Sequence, residues 1–322
     1  MGGRWLVVGS LLLTACGGTP SRSSPVAPAP TPAPALWTLR GDVRDVRTQA
    51  VAVGARVTAG EATTTTDHTG RFALAAPSSS PIVVTIQADG ALERGLWLRP
   101  NTETPITIIP TASPFDLTFY RQLVRNGFEA PEKLEPIRRW TVAPRVYIQT
   151  TDDQGRAVSP TALDQLEGWL RRAVTEWSGQ TLSVATVERG PEWRAETPGW
   201  LRVRLVDDQT ANWCGKAFVG VDPGEIRLNI GLCGWCAGGV PPRTIVHEVG
   251  HAMGLWHVPV AQGLMYAGGP GNCSTDPTWS EGERFHAWLA YQRPVGNFDP
   301  DRDGYGSLFA FPGRQARVWV VD

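Results

Sequence analysis

Alternation of apolar and polar residues dominates the chain from Trp37 to about Pro110. Runs such as GRFALAA and PIVVTIQAD put every second side chain on one face, which is typical of strands that bury one side. Turn-forming residues separate the runs, and none of them has the 3.6-residue spacing of an amphipathic helix. Seven such runs predict a small all-β sandwich over residues 37–110.

Helical spacing appears after a connector over residues 111–140, in which one short helix is expected. Ser159 suits an N-cap, Pro160 suits the first helical position, and Gly179 lies just beyond the expected end. The helix between them is expected to bury one apolar stripe, which consists of Leu163, Leu166, Leu170, Ala173, Val174 and Trp177.

Strands and two further helices are predicted in the rest of the chain. PRVYIQT, TLSVATVE and GWLRVRLVD are typical of strands, and a hairpin is expected around Asp222–Gly224. One helix is predicted over about 242–253, and a last helix begins with a capping box, SEGE, at 280–283. Residues 141–322 are therefore expected to form a second, α+β domain.

Charge and glycine patterning exclude several classes of partner. The formal net charge is −1, and basic residues form no run longer than short pairs. This balance predicts neither a nucleic acid nor an acidic membrane surface as a partner. A glycine-rich strand-to-helix loop with nucleotide-binding spacing does not occur either.

The first 36 residues indicate an exported protein. MGGRWLVVGSLLLTAC contains one early arginine and an apolar stretch too short to span a bilayer, which requires about 20 residues. Its end, LTAC, resembles the bacterial lipobox, which implies that residues 1–16 are a signal peptide and that Cys16 carries lipid. A plain secretory signal is the alternative. Residues 17–36 are rich in Pro, Ala and Ser and predict a semi-extended tether.

Four further cysteines suit an exported chain with two disulfides. Three pairings are possible. Cys214 and Cys233 flank a predicted hairpin, which favours a bridge between them and a second bridge between Cys236 and Cys273. A redox site at CGWC and a four-cysteine zinc site remain as alternatives.

The segment HEVGHAMGLWH, residues 247–257, contains three of the five histidines. His247 and His251 lie one helical turn apart on the same face. Gly254 can end the helix and turn the chain, which would bring His257 to the same point. Three imidazoles with an open fourth position are typical of a catalytic zinc site. Glu248 follows the first of them and can act there on a water molecule.

This pattern resembles that of the metzincin zinc endopeptidases, and in particular of the matrixins. GLMY at 263–266 is similar to their Met-turn, so the resemblance implies that Met265 lies beneath the metal and that Tyr266 belongs to the pocket wall. It also implies a mixed twisted sheet, a zinc helix and a C-terminal helix. Glu248 would be the general base that acts on a water molecule. An edge strand within GEIRLNI would pair with an extended substrate.

Two further segments are similar to known patterns. The stretch from GDVRD to GRFAL is similar to carboxypeptidase regulatory-like domains, which have a seven-stranded prealbumin-type fold; this resemblance implies no chemistry. DPDRDG, from Asp299 to Gly304, resembles the start of a calcium loop. The twelfth position lacks the glutamate that an EF-hand requires. A solvated turn is therefore favoured over a Ca²⁺ site there.

Together these features predict a lipid-anchored zinc endopeptidase of the bacterial cell envelope, which acts on proteins or peptides. Its cofactor would be Zn²⁺, and Cys16 would attach it to the membrane. One alternative is a surface-binding or adhesion lipoprotein with a vestigial peptidase domain. Another is a structural surface protein whose histidines store metal passively. The presence of Glu248 beside all three histidines favours the enzyme.

Overall fold

A computed structural model describes residues 37–192, 194–233, 240–261, 263–267, 277–308 and 316–321. The predictions for the signal peptide, Cys16, the tether and the Cys236–Cys273 bridge lie outside the described residues. From Trp37 onward these residues belong to a single compact unit. Where the chain is described, no helix combines the length and the apolar character needed to cross a membrane.

The N-terminal part is a sandwich of two sheets. Its strands are β1 (Trp37–Asp45), β2 (Arg56–Ala59), β3 (Ala62–Thr65), β4 (Arg71–Ala76), β5 (Ile82–Gln87), β6 (Arg94–Leu98) and β7 (Glu103–Ile108). One sheet has the order β4-β1-β7 and the other β3-β2-β5-β6, and only β1 and β7 pair in parallel among these strands. Buried residues of both sheets form one core between them. The predicted all-β sandwich is confirmed.

The second part is an α+β arrangement around a six-stranded mixed sheet. Its helices are α1 (Leu117–Arg125), α2 (Pro160–Trp177), α3 (Ile230–Cys233), α4 (Pro242–Ala252) and α5 (Glu281–Tyr291). Its strands are β8 (Arg145–Gln149), β9 (Thr186–Gly190), β10 (Trp200–Val206), β11 (Gly215–Phe218), β12 (Gly224–Asn229) and β13 (Trp319–Val321). The sheet order is β13-β11-β12-β10-β8-β9, in which β11 is antiparallel to both neighbours.

Helix α2 forms as its sequence dictates. The Ser159 hydroxyl accepts a hydrogen bond from the Ala162 amide at 3.2 Å, and Pro160 opens the helix. Gly179 has φ +59°, the left-handed conformation that ends a helix without steric penalty. The six residues of the predicted apolar stripe are the six that α2 buries.

The prediction of an edge strand within GEIRLNI was wrong. GEIRLNI corresponds to β12, which is bonded to β10 on one side and to β11 on the other. An inner strand has no free backbone groups to offer a peptide. The other hairpin strand, β11, is flanked by β12 and by β13, which pairs with it over residues 216–218 and is the edge strand of the sheet.

The segment Asp299–Gly304 forms a turn that is buried at Asp301 rather than solvated throughout. Asp301 is fully buried and accepts hydrogen bonds from Arg293 at 2.7 and 2.8 Å. Asp303 accepts from Arg94 of β6, and Asp299 accepts from a guanidinium of α1 at 2.7 and 2.9 Å. Carboxylate oxygens that would bind Ca²⁺ are thus committed to arginines, and the network joins the sandwich to the second part.

Candidate metal centre

Helix α4 is buried along almost its whole length, and long side chains donate hydrogen bonds to its main-chain carbonyls. Trp177 donates its indole N–H to the Val246 carbonyl at 2.8 Å, and Trp140 donates to that of Ala252 at 2.9 Å. Tyr291 donates to the Met253 carbonyl at 3.0 Å, and burial raises the pKa of its phenol, so that it stays protonated. The bonds to Ala252 and Met253 satisfy carbonyls at the helix end that have no partner within the helix, whereas the bond to Val246 reaches a carbonyl in the middle of the helix.

The chain reverses just after α4, as the sequence predicts. Gly254 has φ +107°, and a side chain there would overlap the Arg138 backbone. The Leu255 amide donates back to the Gly250 carbonyl at 2.9 Å, and the Trp256 amide donates to the Leu123 carbonyl of α1 at 2.7 Å. These bonds direct the next residue, His257, back toward the helix.

Three imidazole nitrogens meet at one point. The Nε2 atom of His251 lies 3.0 Å from that of His247 and 3.1 Å from that of His257. The remaining Nε2 pair, His247 and His257, is 3.3 Å apart. His251 is fully buried, and the other two are only 6 and 2 % exposed.

Each of these rings is fixed through its other nitrogen. Nδ1 of His247 donates to the Leu264 carbonyl at 2.5 Å, and Nδ1 of His251 donates to the Leu255 carbonyl at 2.8 Å. Nδ1 of His257 donates to the Glu129 carboxylate at 2.5 Å. Carbonyl and carboxylate oxygens can only accept, so the proton of each neutral ring sits on Nδ1. All three Nε2 lone pairs therefore face one another.

This donor set fits a metal ion. Three lone pairs at 3.0–3.3 Å repel one another unless a cation lies between them. Tetrahedral zinc with Zn–N bonds of about 2.0–2.1 Å places its ligand nitrogens about 3.3–3.4 Å apart. Within the described residues the cluster contains these three side chains, which is the number that a catalytic zinc site uses.

Glu248 is fully buried in α4, directly after the first histidine of the cluster. Its carboxylate fills the space in front of Gly215 at the start of β11, where a Cβ would lie 2.6 Å from Glu248 Cγ and closer still to its carboxyl group. Any side chain at position 215 would therefore displace this glutamate. Gly215 holds the sheet close enough to α4 to enclose the carboxylate.

Met265 lies against α4 between the first two histidines. A Cβ on Gly250 would overlap the Met265 sulfur and lie 3.1 Å from its methyl group. The Met265 carbonyl accepts from the Val258 amide at 2.9 Å, which ties this turn to the residue after His257. Tyr266 is partly buried, and its backbone pairs with Val258. These contacts put both residues of the predicted Met-turn beside the histidine cluster.

One of the predicted disulfides is present. Cys214 and Cys233 are bonded, with their Cα atoms 5.4 Å apart. The prediction from hairpin geometry is therefore confirmed for this pair. Because both sulfurs are used, neither is available to a four-cysteine zinc site.

His286 lies outside the cluster and has a structural role. Its Nε2 accepts a hydrogen bond from the Asp116 amide at 2.9 Å, at the N-cap of α1, and its Nδ1 donates to the Gly282 carbonyl at 2.7 Å. Burial lowers the pKa of the imidazole, which favours the neutral form that both bonds require.

Three residues near the histidine cluster were not predicted from the sequence. Glu129 belongs to the segment predicted as a connector, and it meets His257 across 128 positions. Gly215 and Gly250 matter because of the space that they leave for Glu248 and Met265. A glycine inside a predicted helix does suggest close packing of a neighbour, and this signal could have found Gly250.

Comparisons with known proteins give no closer assignment. No protein-family model and no curated protein matches the chain. Two similar solved structures are interface mutants of a type II cohesin–X-dockerin complex from Acetivibrio cellulolyticus. They are 22% and 20% identical, cover 22% and 23% of this chain and 56% of theirs, and have TM-scores of 0.19. The chain thus spans little more than half of their length.

A third similar structure is metalloproteinase-II from Bacteroides fragilis. It is 13% identical, covers 78% of this chain and 84% of that chain, and has a TM-score of 0.33. Similarity at this level carries no argument about function. The functional assignment therefore rests on the geometry of the histidine cluster.

Proposed function

We propose that the protein is a zinc-dependent endopeptidase. The observation that carries this proposal is the convergence of three Nε2 lone pairs, each ring held at Nδ1, with a fully buried glutamate directly after the first histidine in α4. Imidazole nitrogens suit Zn²⁺ among the first-row metals. A passive metal store needs no acid–base group, so the position of Glu248 supports an enzyme.

His247, His251 and His257 would hold the zinc ion. When bound, zinc supplies Lewis acidity, which polarises a carbonyl group and lowers the pKa of water. Glu248 takes a proton from the water that attacks the scissile carbonyl, and it later delivers that proton to the leaving amine nitrogen. Its burial beneath β11 keeps bulk water away, which strengthens the electrostatic effect of the carboxylate.

The proposed setting is the bacterial cell envelope, with protein or peptide substrates. Support comes from the sequence alone. The lipobox-like LTAC ends at Cys16, and residues 17–36 have the composition of a tether that would give an anchored enzyme reach. Mass spectrometry of the N-terminal peptide from membrane extracts tests this part separately, because it should carry an acylated Cys16.

The chemical proposal is tested with purified protein, a random peptide library and two variants. Glu248→Gln should retain zinc and lose about 10²–10⁴-fold in turnover, because only the general acid–base group is removed. His251→Ala should lose both zinc and turnover. Glu132→Gln, an exposed glutamate of the segment 111–140, serves as the control and should match the parent.

Two outcomes would contradict the proposal. If the parent bound zinc and cleaved no peptide in the library, the surface-binding and metal-storing alternatives would be favoured. If Glu248→Gln cleaved peptides as fast as the parent, Glu248 would not be the base. Zinc content by atomic absorption and turnover by mass spectrometry distinguish these cases.

A further inference from the structure

Glu129 supplies the acceptor for the third histidine from outside the motif. Its carboxylate lies 2.5 Å from Nδ1 of His257, whose own side chain is 2 % exposed. The other two histidines use main-chain carbonyls, which their local turns provide. His257 thus depends on a side chain 128 positions away.

Hydrogen bonds fix the position of the segment that carries Glu129. It follows α1, whose Asn126 cap has the left-handed φ of +58°, and the Ala130 amide donates to the Asn126 carbonyl at 2.9 Å. Arg125 is fully buried and donates to Asn297 at 2.6 and 2.7 Å. The turn 126–130 therefore presents the carboxylate from a rigid support.

We propose that Glu129 is a positioning residue that fixes the orientation and tautomer of His257 for metal binding. A carboxylate bound to a ligand histidine holds the ring and keeps the proton on the nitrogen that faces away from the metal. This inference rests on the proposed function, since it assumes that the three histidines bind zinc. It goes further in assigning part of the metal centre to the segment 111–140.

The test measures zinc affinity by competition with a chromophoric chelator, together with the visible spectrum of the cobalt-substituted protein. Glu129→Ala should weaken zinc binding by about 10–100-fold and change the cobalt spectrum, because His257 loses its orienting bond. Glu129→Gln should recover most of the affinity, because its amide oxygen still accepts from Nδ1. Glu132→Ala is the matched control, an exposed carboxylate three positions along.

The side chain of Glu129 is 40% exposed, so the metal-free variant is expected to fold. Its unfolding in the presence of a chelator should remain a single cooperative transition, at a somewhat lower midpoint than the parent because the buried Nδ1–H of His257 loses its acceptor. A Glu129→Ala protein with the parent's zinc affinity and cobalt spectrum would overturn this inference alone. A parent that bound no zinc would overturn the proposed function as well.

A C-terminal strand, β13, covers one edge of β11 near the histidine cluster. Strand β11 begins at Gly215, against the Glu248 side chain, and β13 pairs with its outer edge. Trp319 stacks on Phe218 with ring centroids 3.8 Å apart, and Val320 packs with Val219 and Trp256. This covering segment, residues 316–321, thus lies on the outer edge of the strand nearest the proposed base.

The geometry also points to competition between the covering segment and extended peptides. A peptide binds a sheet by adding a strand to a free edge, and β13 already pairs with β11 there. This inference, too, rests on the proposed function. The segment would have to leave β11 before a long substrate could pair with it.

Val320→Asp tests the idea, because Val320 is 6 % exposed and packs the segment against Val219 and Trp256. Val321→Asp, at a site 51 % exposed, is the control. Release should raise kcat/KM several-fold for long peptides, with the control unchanged. A synthetic peptide of residues 316–321 should inhibit the released variant. If Val320→Asp folds and cleaves no faster, or if the peptide does not inhibit, the segment does not compete; a parent inactive on every peptide would contradict the proposed function instead.

Discussion

Replacing Gly250 with alanine tests whether Met265 occupies the space beneath the histidines. In the interior of an ordinary helix this change stabilises the protein by about 1 kcal/mol, because glycine loses more backbone entropy on folding than alanine. In α4 the new methyl group would overlap the Met265 sulfur and lie 3.2 Å from Trp177 Nε1. Met265 and Trp177 are both fully buried, so neither can move aside freely.

Gly168 in α2 is the matched control. It is exposed, and a Cβ there would meet nothing within 4 Å. Gly168→Ala should therefore stabilise the protein by about 0.5–1 kcal/mol. Overpacking a buried site costs about 1–3 kcal/mol, which offsets the helix term at position 250. Because that term is common to both variants, the difference between them estimates the packing cost alone.

The measurement is urea-induced unfolding of the parent and both variants in the presence of a chelator, which separates stability from metal binding. Gly250→Ala should be about 1–3 kcal/mol less stable than Gly168→Ala. A second readout is zinc affinity, which should fall for Gly250→Ala because Met265 must shift. If both substitutions stabilised the protein equally, Met265 would not fill the space in front of Gly250.

Three further predictions concern metal, charge and pH. Adding zinc to the metal-free protein should raise Tm in proportion to the logarithm of its concentration, since only the folded state brings the three ligands together; a Tm independent of zinc would contradict this. Asp301→Ala should lower the free energy of unfolding in urea by about 3–5 kcal/mol, because it leaves the buried Arg293 without its carboxylate, whereas Arg94 keeps Asp303; a loss below about 1 kcal/mol would contradict that reasoning. His286 has a pKa lowered by burial from 6.5, so the unfolded chain takes up its proton first as pH falls. The contribution of neutral His286 to stability is present above pH 6.5 and is lost below it. His286→Gln can still accept from the Asp116 amide, so between pH 7 and pH 5 its free energy of unfolding in urea should fall less than that of the parent.

Local elements of the fold were predictable because their determinants are local. Helix α2 follows from Ser159, Pro160 and an apolar stripe at helical spacing, and each of these signals acts within a few residues. Strand β9 was predicted five residues too early. Ser178 bonds the amide of Leu182 at 3.0 Å and its carbonyl at 3.1 Å. These bonds hold that stretch in a turn, so pairing starts only at Thr186.

The histidine cluster could be predicted for the same reason, since a helical turn and a reversal at Gly254 bring its members together. Its surroundings could not. Glu129 and Trp140 reach the centre through tertiary packing, and the pairing of β13 with β11 joins segments about a hundred positions apart. Such contacts depend on the whole topology, which periodicity and spacing do not encode.

The segment 111–140 lies outside the histidine motif and still contributes to the candidate metal centre. It contributes the Leu123 carbonyl that turns the chain toward His257, the Glu129 carboxylate that holds this histidine, and the Trp140 donor at the end of α4. A ligand histidine is useful only if its ring is oriented, and orientation requires partners outside the coordinating atoms. In sequence these partners belong to a connector between two predicted domains. In the folded chain they contact the turn after α4, the third histidine and the end of α4, so the surroundings of the histidine cluster include this segment.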